Sequence, residues 1–379
     1  MDKLKVYHFY NGSGGGVWSV IKNLVRFSQN PAIENHIVHA INTKLYPNYS
    51  IEPMQGVVTE QICYYSPNDN FYHTCKKLAA CLPNEKALVV AHDWVELGMM
   101  SNLGLQNKVV NFLHGDYDYY YQLAQKHVQA VDGFICVAEN IFNQLKKIIS
   151  EKLPAFYHRF PVPEALPVSN KIKNSIIFIG RLEEQKGFFL LKEIAELLEA
   201  RSVNAKWFIV GNGKGDEQWP KNIDVNFTGQ LSNHAVQELL TKMEIFILPS
   251  LAEGMPVSLI EAMKASVAPV VNNLEGGIKE LIDANSSRGY RVEDNSVEGY
   301  TNYIAKLLTD DLLRKEMQQV AKNYAQENFN PQINAKIIED TFLQIASWPS
   351  KIKLPQKVYG SRLDQTWIPN SFTKLVRNR

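Results

Sequence analysis

The sequence predicts an α/β protein with two doubly wound domains, and three observations support this prediction. The chain has 379 residues, which is too long for one ordinary domain. Short unbroken apolar runs, such as Ser175–Ile179 and Ile245–Leu248, are typical of strands buried on both faces of a parallel sheet. Helix-like patterns alternate with these runs, which is the arrangement that a doubly wound sheet requires.

Composition and charge exclude several classes of protein. A hydrophobic content of 45% supplies two cores, so the chain is not a disordered one. The formal net charge of +1 gives no reason to expect a nucleic-acid partner. The 4 cysteines form no C-x-x-C pair and are interpreted as buried or idle thiols in a reducing compartment: Cys63, Cys75, Cys81 and Cys136.

No apolar run approaches the roughly 20 residues that a helix needs to cross a bilayer. The first ten residues also lack the continuous apolar stretch and the cleavage site of a signal peptide. The sequence therefore predicts a cytoplasmic protein, either soluble or peripheral to the inner face of the membrane.

The first predicted strand, residues 5–9, leads into a glycine-rich turn and a helix. Residues 12–17 nearly match the dinucleotide-binding pattern G-x-G-x-x-G, but Val17 stands in place of the last glycine. The second predicted strand, residues 36–41, ends at Asn42, where an NAD site requires a carboxylate for the ribose. Both departures weaken the dinucleotide interpretation. A turn with only a packing role remains an alternative.

Two further predicted strands of the first domain end in histidines. Residues 87–91 lead to His92, and residues 108–113 lead to His114. A histidine at a strand end is often only a capped surface residue, so a functional role and a structural role both stay open.

Proline clustering marks the domain boundary. Residues 133–138 are predicted to form the last strand of the first domain, and a helix follows near residues 140–149. Four prolines then lie in a segment without periodicity, which indicates a linker: Pro154, Pro161, Pro163 and Pro167. The predicted domains are residues 1–165 and 172–332, followed by a helix and a basic tail at residues 333–379.

The most informative turn follows the apolar run Ile245–Leu248. Gly254 supplies a flexible turn, and Pro256 suits the first turn of a helix. Such a loop lies where open α/β sheets bind ligands, and its free amides suit a phosphate. Glu253 and Glu261 flank the turn as acceptors for hydroxyl groups of a sugar and a ribose. The alternative is a solvated loop carboxylate and a carboxylate favoured by the helix dipole.

These residues resemble the motifs of the retaining, group 1 glycosyltransferases. Glu253 and Glu261 are similar to the E-x7-E signature of this family (family 4-like), and Arg181 with Lys186-Gly187 is similar to its second signature. The resemblance covers most of the chain between Gly14 and Glu261. It implies the GT-B fold, in which two Rossmann-like doubly wound domains face each other across a cleft and the last helix crosses back to the first domain.

The resemblance also implies roles for individual residues. The implied catalytic residues are Glu253, His114, Arg181 and Lys186, with His92 as a weaker candidate. The implied donor-binding residues are Gly15, Gly16, Arg181, Lys186, Gly229, Leu231, Glu253, Gly254, Met255, Pro256, Val257 and Glu261. Arg181 and Lys186 suit this role physically, because a departing diphosphate gains charge that fixed cations stabilise.

Asp116 and Asp118 form the sequence Asp-x-Asp, which is the divalent-metal signature of the other glycosyltransferase fold. An aspartate at a helix start is also an ordinary cap. Because Arg181 and Lys186 already supply counter-charges, the metal interpretation is rejected and no metal or cofactor is expected. The tyrosines at positions 117 and 119–121 suit either sugar stacking or packing.

The resemblance implies a metal-independent hexosyltransferase. Such an enzyme moves a sugar from a UDP- or GDP-linked donor to a glycan or lipid-linked acceptor, in bacterial surface polysaccharide or lipopolysaccharide synthesis. The alternatives are a GT-B hydrolase or epimerase of nucleotide sugars and a non-catalytic subunit that binds them. The basic tail, residues 351–379, is expected to pack on the first domain, and contact with anionic lipid or a mobile end are the alternatives.

Overall fold

The computed structural model describes residues 3–51, 53–83, 87–151, 153–213, 219–358 and 361–378. Its strands are β1 (Leu4–Tyr10), β2 (Ile33–Asn42), β3 (Val57–Tyr65), β4 (Leu88–Ala91), β5 (Lys108–Leu113), β6 (Gly133–Cys136), β7 (Ala155–Tyr157), β8 (Ser175–Ile179), β9 (Lys206–Val210), β10 (Asp224–Gly229), β11 (Ile245–Leu248), β12 (Ala268–Asn272) and β13 (Tyr290–Val292). Its α-helices are α1 (Gly15–Arg26), α2 (Phe71–Ala79), α3 (Trp94–Leu103), α4 (Asp118–Lys126), α5 (Glu139–Ile148), α6 (Phe188–Ala200), α7 (Asn233–Leu240), α8 (Val257–Lys264), α9 (Gly277–Leu281), α10 (Val297–Thr309), α11 (Asp311–Asn328), α12 (Pro331–Ser347) and α13 (Asn370–Arg377).

The chain divides into two compact units. Unit 1 comprises Met1–Pro161 and Gln332–Arg379, and unit 2 comprises Val162–Pro331. Each unit contains one parallel sheet flanked by helices, so the α/β prediction is confirmed. The predicted strands at residues 108–113, 175–179 and 245–248 are confirmed residue for residue.

Unit 1 is built on a seven-stranded sheet in the order β3-β2-β1-β4-β5-β6-β7. The strand order reverses between β1 and β4, where Val6 pairs with Leu88 and His8 with Val90. In open α/β sheets, ligands bind outside the carboxyl ends of the strands at such a point. The sequence places Asn11 and His92 directly after these two strands.

Unit 2 is built on a six-stranded sheet in the order β10-β9-β8-β11-β12-β13. Its order reverses between β8 and β11, where Ile176 pairs with Ile245 and Ile177 with Phe246. The core beneath is apolar and close-packed, with the fully buried Trp207 among its members. The loops that leave β8 and β11 therefore start side by side.

One prediction about unit 1, the identity of its last strand, is wrong. Residues 133–138 were expected to contain the last strand of the first domain, but β7 (Ala155–Tyr157) follows and pairs with β6 in parallel. This strand lies inside the proline cluster that indicated a linker. It has only three residues, and the preceding Pro154 accepts a hydrogen bond from the Phe134 amide at 3.0 Å. A proline beside an edge strand removes no ladder donor, so it does not prevent the pairing.

Residues 349–358 lie against the N-terminal segment of unit 1. The Lys353 ammonium is buried and binds the Asp132 carboxylate at 2.6 Å and the Asn107 carbonyl at 2.6 Å. The Gln356 amide donates to the Ser101 carbonyl at 2.8 Å. Burial lowers the pKa of Lys353 to about 8. A buried ammonium must be paired, so these contacts hold the segment on the surface of unit 1.

Within the described ranges, no helix combines the length and the apolar character that crossing a membrane requires.

Candidate functional site

Two loops of unit 2 meet at the carboxyl ends of β8 and β11. The first carries a short 3₁₀ turn, Glu184–Lys186, and then Gly187 in a left-handed conformation with φ of 66°. A Cβ on Gly187 would overlap the Pro249 carbonyl, so glycine is required both for its backbone angle and for the close approach. The Leu251 amide also donates to the Gln185 carbonyl at 2.9 Å. The two loops thus form one surface.

The contact between these loops joins Lys186 to Glu253. The Lys186 Nζ lies 2.7 Å from the Glu253 Oε1, and both side chains are largely buried. Lys186 is therefore held at a fixed position, which is what stabilisation of developing negative charge requires. The structure brings together two residues that the sequence places 67 positions apart.

Arg181 lies at the start of the first loop. Its guanidinium pairs with Glu183 at 2.8 Å, and its side chain is 64% exposed. An exposed ion pair contributes little to stability, and a guanidinium has five donors. The Arg181 side chain therefore has donors available for an anionic ligand.

The second loop leads into α8. Pro256 is the N-cap residue of this helix, one position before the first turn in which the sequence suggested it. The first amides of a helix have no acceptor within the helix, and they carry the positive end of its dipole. Met255 and Val257 are buried, and the Gly254 carbonyl accepts from the Gly277 amide at 3.1 Å. Glu261, in the second turn, is also buried.

Three polar residues of this site were missed by the sequence reasoning. Asn272 ends β12 and donates to the Ser250 carbonyl at 2.8 Å, and Asn295 donates to the Pro249 carbonyl at 3.1 Å. The Ser250 hydroxyl is fully buried and has no hydrogen-bond partner among the described residues. Asn272 was detectable as a polar residue at the end of a buried strand. Asn295 and the Ser250 hydroxyl carry no sequence signal.

Gly229 is the last residue of β10, and Leu231 lies in the loop that follows. Gly229 has φ of 68°, and no described atom lies within 4 Å of where its Cβ would be. The backbone amide of the neighbouring Gln230 donates to the Asn212 Oδ1 at 3.1 Å, which ties this loop to the one after β9. Residues 214 and 215 of the glycine-rich run after β9 lie outside the described residues.

In unit 1, Gly15 and Gly16 form the start of α1. Gly14 is the N-cap, with φ of 69°, and its amide donates to the Tyr10 hydroxyl at 2.5 Å. A Cβ on Gly15 would meet nothing within 4 Å among the described residues, so the backbone there is open to a ligand. A role for Gly15 and Gly16 in donor binding stays a prediction.

His114 lies beside His92 in unit 1. The His92 Nδ1 and the His114 Nε2 are 2.7 Å apart, and the buried His8 ring stacks on the other side of His92 at 5.9 Å. Burial lowers the pKa of His114 to about 3 and that of His8 to about 4, and the pKa of His92 is also lowered by burial. These imidazoles are neutral at pH 7, so His114 is suited to hydrogen bonding rather than to charge stabilisation.

We expect this cluster to make unit 1 sensitive to acid. The folded pKa values lie below the ordinary value of about 6.5, so the unfolded chain takes up protons first as the pH falls. Stability is complete above that pH and decreases below it, by roughly 1–2 kcal/mol per buried histidine at pH 5. Urea unfolding at pH 7 and pH 5 measures this loss, and His8→Phe should reduce it. The exposed, non-titratable Val58 of unit 1 supplies the control, since Val58→Thr should leave the pH dependence unchanged.

Glu96 of unit 1 was not predicted from the sequence as a site residue. Its buried carboxylate accepts from the His92 amide at 2.7 Å and the Asp93 amide at 2.6 Å, which completes a capping box at the start of α3. Burial, and then the neighbouring Asp93 charge, raise the pKa of Glu96 to about 8. Glu96 and Asp93 line a cavity of about 60 Å³ at the carboxyl ends of β1 and β4.

Asp116 and Asp118 have separate roles in the structure. The Asp116 carboxylate accepts from the Tyr121 hydroxyl and from the Asn140 amide, and Asp118 is the first residue of α4. Across the described part of the chain, no group of three or more histidine, cysteine or acidic side chains is arranged to hold a metal ion. Tyr119 donates to Asp93, so the tyrosine cluster has hydrogen-bonding contacts within unit 1.

Comparison with solved structures identifies the fold. HepE from Anabaena, solved with UDP and glucose, superposes with a TM-score of 0.71 at 14% identity, over 90% of this chain and 100% of that one. The chain therefore has the GT-B fold, as predicted. Residues 165–327 match the family model for glycosyl transferases group 1, which confirms the resemblance to the group 1 family noted from the sequence.

Curated relatives agree with this family. An α-1,3-galactosyltransferase of Escherichia coli, which acts with UDP-Gal on a GlcNAc-diphosphoundecaprenol, is 26% identical over 46% of each chain. The N,N'-diacetylbacillosaminyl-diphospho-undecaprenol α-1,3-N-acetylgalactosaminyltransferase of Campylobacter jejuni is 28% identical over 56% of this chain and 54% of its own length. The chain thus aligns with about half the length of these relatives.

Proposed function

We propose that this protein is a retaining glycosyltransferase. It would transfer a sugar from a nucleoside diphosphate sugar to a hydroxyl group of a glycan or lipid-linked acceptor in bacterial polysaccharide synthesis. The observation that carries this proposal is the 2.7 Å contact between Lys186 and Glu253 beside the start of α8. The relatives support the acceptor class, because the names of two of them specify undecaprenol-linked sugars.

The donor diphosphate is proposed to bind between the first loop and the start of α8. Arg181 would bind phosphate oxygens bidentately, Lys186 would act as a point charge, and the amides near Val257 would donate hydrogen bonds. These groups give the diphosphate its counter-charges from the protein alone, and we propose a metal-independent reaction on that basis. Glu253 and Glu261 would accept hydrogen bonds from the sugar and the ribose.

In the proposed reaction, the bond between the sugar C1 and the diphosphate oxygen breaks as the acceptor oxygen forms its bond to C1 on the same face. The acceptor proton moves to the departing phosphate oxygen, so configuration is retained and no carboxylate base is required. Lys186 and Arg181 stabilise the charge that develops on the leaving group. His114, neutral at pH 7, would hydrogen-bond a sugar hydroxyl.

Ligand-dependent thermal stability tests the donor site. A ligand present at 100 times its Kd stabilises the folded state by about 2.7 kcal/mol, which raises the Tm of a domain this size by several degrees. We expect UDP or GDP and the matching nucleotide sugar to produce such a shift, and Lys186→Ala to abolish it. A chain that responds to no nucleoside diphosphate contradicts the proposal.

A second measurement separates transfer from the alternatives. Transfer requires an added acceptor, whereas a hydrolase releases free sugar without one and an epimerase yields an isomeric nucleotide sugar. A binding subunit would show the thermal shift without any turnover. Retention is measured directly from the anomeric configuration of the product, and an inverted product contradicts the proposed mechanism.

A further inference from the structure

The C-terminal helix α13 (Asn370–Arg377) has its polar face turned toward the protein. Asn370 donates to the Asp69 carboxylate at 2.9 Å, and Arg377 donates to Asp364 at 2.7 Å. Thr373 between them is fully buried. In a helix with 3.6 residues per turn, these three positions lie on one side. Polar contacts thus attach α13 to unit 1.

The opposite face of α13 is apolar and exposed to solvent. Phe372, Leu375 and Val376 occupy this face and are 52%, 58% and 42% exposed. Their spacing of three and four residues places them on one stripe. Trp367, just before the helix, is 77% exposed. A surface helix normally buries its apolar stripe against the core, and α13 does the reverse. An exposed apolar stripe of this kind marks an interaction site.

The segment that carries this stripe has an excess of positive charge. Residues 351–379 contain seven Lys and Arg residues and a single acidic residue, Asp364. Three of the cations pair with carboxylates: Lys353, Lys374 and Arg377. Lys357 and Arg362, which precede the helix in the sequence, are exposed. An apolar stripe with an exposed tryptophan and a basic surround is the combination that binds an anionic lipid surface.

We propose that the outward face of α13, formed by Phe372, Leu375 and Val376, docks the protein on an anionic membrane surface. The apolar side chains would enter the boundary between headgroups and acyl chains, with Trp367 at the headgroup level. Lys357 and Arg362 would contact the lipid phosphates. Three side chains offer far less surface than the roughly 800 Å² per partner that a standard protein interface buries, so a lipid surface fits this stripe better than a second protein.

Membrane docking uses none of the residues that are proposed to bind the donor diphosphate, which are Arg181, Lys186 and the start of α8. It would serve the proposed function by bringing a lipid-linked acceptor and the enzyme to the same surface. The two proposals therefore fail separately: loss of vesicle binding leaves nucleotide binding unchanged, and loss of nucleotide binding leaves vesicle binding unchanged.

Co-sedimentation of the full-length chain with vesicles tests the proposal. We expect binding to phosphatidylcholine vesicles that contain phosphatidylglycerol, little binding to phosphatidylcholine alone, and release at high salt. The double substitution Phe372→Gln and Leu375→Gln should lower the partition coefficient by at least about tenfold. The double substitution Lys357→Gln and Arg362→Gln should lower binding to the anionic vesicles only.

The matched control is a pair of exposed apolar residues on another helix. Leu312 and Val320 on α11 are 69% and 42% exposed, and replacing both with glutamine should leave vesicle binding unchanged. A wild-type chain that stays in the supernatant with both kinds of vesicle overturns the proposal. So does a Phe372 and Leu375 variant that binds as the wild type does, or one that converts a dimer to a monomer, because the face would then join two copies of the chain.

Discussion

Lys186→Ala is expected to lower kcat/KM for the sugar donor by about two to three orders of magnitude, which is the usual effect of removing one fixed group that stabilises developing charge. The structure holds this ammonium at 2.7 Å from Glu253, within a contact between two loops, so its loss removes a cation at a fixed position. Initial rates with the nucleotide sugar identified by the thermal-shift measurement and an added acceptor measure the effect, and the thermal unfolding curve confirms that the fold persists.

The control for Lys186→Ala removes a cation elsewhere in unit 2. Arg201 pairs with Glu298 on the surface, and Arg201→Ala should leave turnover within a factor of two. Glu253→Ala should lower turnover to a similar degree as Lys186→Ala, because it removes a sugar-binding carboxylate and leaves Lys186 without its partner. The assignment of the donor site is wrong if either Lys186→Ala or Glu253→Ala retains full activity.

Gly187→Ala is expected to produce a large loss of stability. The added Cβ would overlap the Pro249 carbonyl, and the backbone φ of 66° is unfavourable for any L side chain. We expect a cost of about 3 kcal/mol or more, from strain in the left-handed region and from the displaced loop. Thermal unfolding measures the cost, and donor affinity should fall with it because Lys186 is the adjacent residue.

Gly229→Ala separates the cost of the backbone angle from the cost of the close approach to Pro249. Gly229 has nearly the same φ, 68°, but open space at the position of its Cβ. This substitution should cost only the backbone term, about 1 kcal/mol. Equal losses of stability for Gly187→Ala and Gly229→Ala would show that the close approach to Pro249 contributes nothing.

The elements were predictable where one physical signal dominated. Unbroken apolar runs such as Ile245–Leu248 correspond to strands because only a doubly covered strand buries every side chain. The strand β7 (Ala155–Tyr157) was missed because it is short, only partly buried and set among prolines that usually mark irregular structure. Periodicity gives no signal for three residues at a sheet edge.

The site was predictable only as a set of separate motifs. The Lys186 and Glu253 motifs could each be found in the sequence, but their direct pairing depends on the adjacency of β8 and β11. The hydrogen bonds of Asn272 and Asn295 to the Ser250 and Pro249 carbonyls were not predictable, because asparagine has no single structural meaning in a sequence. The outward apolar face of α13 was also not predictable, because only the contacts of this helix with the rest of unit 1 show which face points outward.

Unit 1 is formed by two separate segments of the chain, and this has a consequence for its biosynthesis. Its sheet is encoded before residue 162, but α12, α13 and the buried Lys353 belong to the last part of the chain. During translation, all strands and helices of unit 2 are synthesised before residues 332–379, which complete unit 1. A nascent chain must therefore hold an unfinished unit 1, in which the Asp132 carboxylate has the Lys108 ammonium but not yet that of Lys353 as a partner, until residues 332–379 have been synthesised.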